Sequence, residues 1–206
     1  MATVKAKSSS LEDKLKVRDN RTDEFMDAQR ESTTPGAQTT RTEIFEQTRE
    51  RALRMLETGA SSASVLTCLV TGAEIGAGPG SVASILVLDD EGLLRNGASP
   101  NLPRDYLNAI DRLKPDPAVG TCAAAAATGL TVVTPDFRAD DKWAELRHLP
   151  MALGFVGAWS TPIVTEDGKV LGTFGTYYRE SRRPTPEEIH GVKALADVAA
   201  RMLAAM

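Results

Sequence analysis

Apolar positions along this chain change period several times, and each change marks an element. From Thr42 to Leu56 they fall at Ile44, Phe45, Ala52, Met55 and Leu56. That is helical spacing, with Thr42 as the expected cap and Gly59 just past the end. A second helix is expected after Ser61 or Ser62, with Val65, Leu66, Leu69, Val70 and Ala73 on one face, stopped by the glycines and proline of 76–80. Val82–Leu88 is dense in branched aliphatics and reads as a central strand, turned by 89–92 into a return strand from Leu93. A short helix is expected from Pro103 to about Leu113. The alanines 123–127 favour helix, and Gly129 ends it. Leu130–Thr134 reads as a short strand, and Asp136, Asp140 and Asp141 as caps of short turns up to Gly154. Two strand-like runs, Phe155–Val164 and Val170–Tyr178, flank a turn at 166–169. The last element is a helix. Thr185 and Glu188 form a capping box with Pro186 at its first position, and apolar residues recur at Ile189, Val192, Leu195, Ala196, Ala199, Met202, Leu203 and Met206.

Strands that come mainly as neighbours, with helices before and after, predict an α+β domain built on an antiparallel sheet. Residues 41–206 form that single domain. Residues 1–40 hold few large apolar side chains and seven basic against seven acidic residues. They read as a polar N-terminal arm, mobile or loosely helical, or as a segment that docks on a partner. Alternation along the first run of the late hairpin puts Phe155, Gly157, Trp159 and Thr161 on one face and Val156, Ala158, Ser160 and Pro162 on the other. The first set suits a pocket floor, with Trp159 equally readable as core. The second suits packing under the terminal helices. The alternation of Val170–Tyr178 leaves open which of its faces meets a pocket.

Composition narrows the function classes. The chain has 206 residues, 42% hydrophobic and 25% charged, with a net charge of −4. That balance argues against nucleic acid or an anionic membrane surface as a partner held by bulk charge. No apolar run is long enough to span a bilayer, and no signal peptide is visible. Two cysteines, Cys68 and Cys122, are too few for a disulfide framework, so a cytoplasmic setting with free thiols is expected. Two cysteines and two histidines at scattered positions give no metal site. Cys122 follows Gly120 and Thr121 at the start of the alanine helix, where a thiol is either reactive or a small buried residue. No nucleophile–base arrangement is apparent, and Asp140-Asp141 is explained by capping.

Several motifs in order carry a resemblance. They are Val119-Gly-Thr-Cys122; Gly129 with Val132, Val133 and Asp136; Asp140-Asp-Lys-Trp143; Gly154-Phe155; Trp159-Ser-Thr-Pro-Ile163; Asp167 to Phe174; Tyr177-Tyr-Arg-Glu180; and Pro184 to Glu188. Over about residues 44–206 they resemble a GAF domain of the sensor-kinase type. The resemblance implies a roughly six-stranded antiparallel sheet, terminal helices on one face, and a pocket lidded by the loops and short helices of 100–154 on the other. It implies a non-catalytic sensory module binding a small molecule through Gly120, Thr121, Cys122, Trp143, Arg147, Phe155, Trp159 and Thr161. A homodimer through helices 42–57 and 185–206 is implied, with a separate kinase or other output protein, since no output domain follows Thr185. Ala123 departs from the family pattern, where glycine commonly follows the cysteine. Two alternatives stand beside this reading: a Cys122-dependent redox enzyme resembling free methionine sulfoxide reductase, and a protein-interaction module with no ligand. No cofactor is expected. Haem through the single His148 and bilin at Cys122 both lack the residues that would support them.

Overall fold

The computed structural model describes residues 39–206; the expected N-terminal arm, apart from its last two residues, lies outside them. The compact unit begins at Thr40. Two helices open it, α1 (Arg41–Glu57) and α2 (Ser62–Ala77). Thr40, rather than Thr42, caps α1. Its side chain accepts from the Glu43 amide, and Glu43 accepts from the Thr40 amide at 2.7 Å. Ser61 caps α2, and Gly78, at φ +95°, ends it.

Five strands follow among the described residues, not the six that the resemblance implies. They are β1 (Val82–Leu88), β2 (Leu94–Ala98), β3 (Val132–Thr134), β4 (Gly157–Val164) and β5 (Val170–Tyr178). Their order is β2-β1-β5-β4-β3, and all neighbours are antiparallel. The two hairpins β1–β2 and β4–β5 meet along β1 and β5, so β5 is central. The stretch preceding β3 is in part helical: α3 (Arg104–Ala109) and α4 (Cys122–Thr128). Between β3 and β4 lie two single 3₁₀ turns, Phe137–Ala139 and Asp141–Trp143, and α5 (His148–Ala152). The chain closes with α6 (Pro186–Leu203), whose capping box and N-terminal proline are as the sequence predicts.

The sheet separates two cores. On one face Ala83, Ile85, Trp159, Ile163, Phe174 and Tyr178 pack against α2 and α6, with Phe45 and Ala52 of α1 joining them. The other face, carrying Leu86, Ala158 and Tyr177, packs against α4 and the short elements of 102–155. The expected orientation of β4 is therefore reversed. Trp159 points to the helix layer, where its Nε1 donates to the Tyr178 hydroxyl at 2.7 Å, and it is 1% exposed. Thr161 shares that face by alternation. The small residues Ala158 and Ser160 face α4. The reason is steric: an alanine helix lies directly on β4 and β5, and only small side chains let it approach. A methyl added at Gly175 would sit 3.0 Å from the Cys122 sulfur.

Glycines also set the helix layer. A methyl at Gly191 of α6 would lie 2.2 Å from the Phe45 ring, and one at Gly76 of α2 would lie 2.6 Å from it. Phe45 is thus wedged between two glycines, one on each helix that α1 packs against.

Candidate functional site

The face opposite the terminal helices encloses a cavity of about 20 Å³. Its floor is Leu86, Tyr177 and Cys122; its roof is Tyr106, Ile110, Leu113, Trp143, Leu146 and Leu149; Gly120 and Thr121 close one side. That volume holds about one water molecule. Anything larger requires the roof to move.

The roof is held unevenly. Trp143 is anchored by its indole Nε1, which donates to Thr134 Oγ1 of β3 at 3.2 Å. Thr134 in turn donates to Asp140 at 2.6 Å, and Asp140 caps the turn that presents Trp143. The Phe137 ring lies 4.3 Å from the indole, centroid to centroid. The Gly120 amide donates to the Lys142 carbonyl at 2.7 Å, which ties the loop before α4 to the same turn. Gly120, at φ +50°, adopts a backbone that favours glycine. The opposite edge is tied to the sheet as well: the Leu94 amide of β2 donates to the Leu113 carbonyl at 2.9 Å, the Arg112 amide donates to the Leu94 carbonyl at 3.1 Å, and Tyr106 donates to Tyr177 at 3.0 Å with the rings edge-on. Between the two edges Leu146 and Leu149 are half-buried, and their amides bond only within their own turns.

Beneath α4 the polar groups are all neutral. Cys122 Sγ lies 3.1 Å from Ser160 Oγ, which donates to Thr121 Oγ1 at 2.9 Å. Burial pushes the Cys122 thiol above its ordinary pKa, against the hydroxyls of Ser160, Thr173 and Thr121, which act to lower it. Burial likewise raises the Tyr106 and Tyr177 phenols. The Ser84 and Thr173 hydroxyls, both fully buried on this face of the sheet, make no hydrogen bond of ordinary length and angle, with Thr173 near the Cys122 thiol and Ser84 near the Tyr177 phenol.

Of the residues expected from the sequence, Gly120, Thr121, Cys122 and Trp143 line the cavity. Arg147 does not: its guanidinium turns outward to the Arg138 carbonyl at 3.2 Å. Phe155 packs nearby, on Tyr177 at 5.3 Å between ring centroids, but lies outside the lining. Trp159 and Thr161 lie in the other layer. Tyr106 and Tyr177 are the functional candidates the sequence reading missed. The signal for Tyr106 was present in Leu102, Tyr106 and Ile110, spaced by four. Tyr177 had none of its own, because both faces of β5 are buried.

His148 is exposed at the start of α5 and does not line the cavity. Among the described residues no cluster of three or more His, Cys, Asp or Glu is placed to hold a metal ion. No helix among them is long and apolar enough to cross a membrane.

Comparison with known proteins gives three findings. Residues 38–204 match the GAF domain family. The chain is 34% identical over 150 residues to the methyl sulfide methyltransferase-associated sensor of Methanosarcina acetivorans, covering 72% of this chain and 15% of that protein's length. Among solved structures it resembles the GAF domain of a phosphoenolpyruvate-protein phosphotransferase from Coxiella burnetii, with a TM-score of 0.65, 17% identity and coverage of 80% and 95% of the two chains. It also resembles free methionine-R-sulfoxide reductase from Neisseria meningitidis, with a TM-score of 0.60, 16% identity and coverage of 80% and 89%.

Proposed function

This chain belongs to the GAF domain family, and from that premise we propose that it is a non-catalytic sensory domain that binds a small molecule between the sheet and the roof of residues 104–149. The observation that carries the reading is the unequal fastening of the roof. Its edges are pinned, one by Trp143 and Gly120 and the other by the Leu94–Leu113 backbone bond and the tyrosine pair, while the half-buried Leu146 and Leu149 between them have amides bonded only within their own turns. Such a roof opens at its middle, admits a ligand and closes over it. The 34% identical sensor supports a sensory role, although this chain spans 15% of that protein's length.

Signal leaves through the sheet. β5 carries Tyr177 on the ligand side and Tyr178 on the helix side, next to Trp159 and α6. We assign the outer surface of α1 and α6, with Ile189 exposed, to a second copy of the chain or to an output protein. A cytoplasmic setting with both thiols reduced belongs to the same reading.

The redox-enzyme alternative is disfavoured by position. Cys122 is buried, its thiol is held protonated, and Cys68 lies on α2 across the sheet. The likeness to a sulfoxide reductase is one of fold.

Native mass spectrometry of the protein isolated from its own cells tests the proposal. The expected result is a dimer carrying a small-molecule adduct that a Leu146→Phe variant, with its site filled, lacks. A mass with no adduct in the wild type would overturn the ligand reading, and a monomer at micromolar concentration would overturn the dimer.

A further inference from the structure

The lining of the cavity contains no Lys, Arg, Asp, Glu or His. Charges of the roof are turned away from it. Lys114, Asp141 and Glu145 are exposed, and Lys142 is held by Asp140 at 2.8 Å. What remains is a set of apolar walls, Leu86, Ile110, Leu113, Trp143, Leu146 and Leu149, around neutral hydroxyl and thiol groups. A charged ligand entering this space would lose its hydration and meet no counter-charge. An uncharged one loses little. The hydrogen-bonding capacity is concentrated at one point. The Tyr106 hydroxyl donates to Tyr177, and each phenol can both donate and accept, so the pair can exchange its mutual bond for two bonds to an inserted oxygen. Ser84 and Thr173, on the same face of the sheet, lie beside this floor and add neutral hydrogen-bonding capacity only.

We propose that the site selects an uncharged, mainly apolar molecule with a single hydroxyl, an aromatic or short-chain alcohol, and takes that hydroxyl between Tyr106 and Tyr177. This rests on the site reading above. A six-membered ring exceeds the closed cavity, so it enters as Leu146 and Leu149, both only half-buried, move outward. The tyrosine pair then serves twice: it latches the closed roof, and it recognises the ligand that breaks the latch.

The test compares phenol, toluene and benzoate, matched in ring and differing in hydroxyl and charge, titrated into the full chain at pH 7 with amide shifts followed by NMR. Phenol is expected to bind at least about tenfold more tightly than benzoate and about fivefold more tightly than toluene, a range set by one hydrogen bond. Tyr106→Phe should bring phenol and toluene within about twofold of each other; Tyr177→Phe supplies the same comparison from the sheet side. Benzoate binding as tightly as phenol would overturn the neutral-ligand proposal and leave the site reading intact. So would toluene binding as well as phenol in the wild type. Binding of none of the three would overturn the proposal and the site reading together.

Discussion

The Glu188 carboxylate is fully buried and accepts two hydrogen bonds of 2.8 Å from Arg182, with a third, from the Thr185 amide, at 2.7 Å. Arg182 also lies over the Tyr178 ring, 3.6 Å from its centroid. Burial acts to raise the Glu188 pKa, but Arg182, the Thr185 amide and the charge of Arg41 outweigh it and hold it below the ordinary 4.5. A carboxylate depressed in this way adds stability above its unfolded pKa and loses it as pH falls through the folded one. Glu188→Gln should therefore cost about 2–4 kcal/mol at pH 7. The gap to wild type should close as pH drops below 4.5, read by urea unfolding at a series of pH values. A gap that stays constant from pH 7 to pH 3 would contradict the charge pairing. The capping half of this arrangement was legible, because Thr185 and Glu188 stand three apart before an apolar stripe. Arg182 was not, because nothing in its spacing distinguishes it from Arg183. Trp159 shows the same limit. Alternation placed Thr161 on its face but also Phe155, which precedes β4 and packs in the other layer on Tyr177, and it could not say which layer Trp159 met, since that depends on how closely α4 approaches the sheet.

Among the three long helices, α1 buries the fewest side chains. Its buried residues are Phe45 and Ala52, and Phe45 occupies the gap left by Gly76 and Gly191. Gly191→Ala gains up to about 1 kcal/mol in helix propensity. The 2.2 Å approach to the base of the Phe45 ring outweighs it, with an expected net loss of about 1–2 kcal/mol in chemical unfolding. A cycle with Phe45→Leu should show coupling of at least about 0.5 kcal/mol between the two sites. A neutral or stabilising Gly191→Ala would mean that α1 moves aside freely, and its proposed role in transmitting a signal would fall. The helices and the two hairpins were readable because their periods are long and their caps explicit. Boundaries moved by a residue or two, as from Thr42 to Thr40. The five strands observed among the described residues are the five that the residue pattern predicts; the sixth came only from the resemblance. The glycines at 76 and 191 gave no sequence signal as a pair, since they lie on different helices and meet only around Phe45.

For the whole molecule, the division into two layers by one sheet followed from the resemblance, and so did the presence of a cavity on the face away from the terminal helices. Its state did not. Sequence cannot show that Leu146, Leu149 and Tyr106 close the cavity to about 20 Å³, because that depends on how loops without regular structure settle over the sheet. A sensory role requires that this roof opens while the rest of the fold stays intact. Native-state hydrogen exchange of the ligand-free protein reads this directly. The amides of Ile110, Arg147 and Leu149, bonded within the roof, should exchange through local opening at free energies far below that of global unfolding, while those of β4 and β5 exchange only with the whole domain. Exchange of the roof amides at the global unfolding free energy would mean a sealed cavity, and a scaffold in place of a sensor.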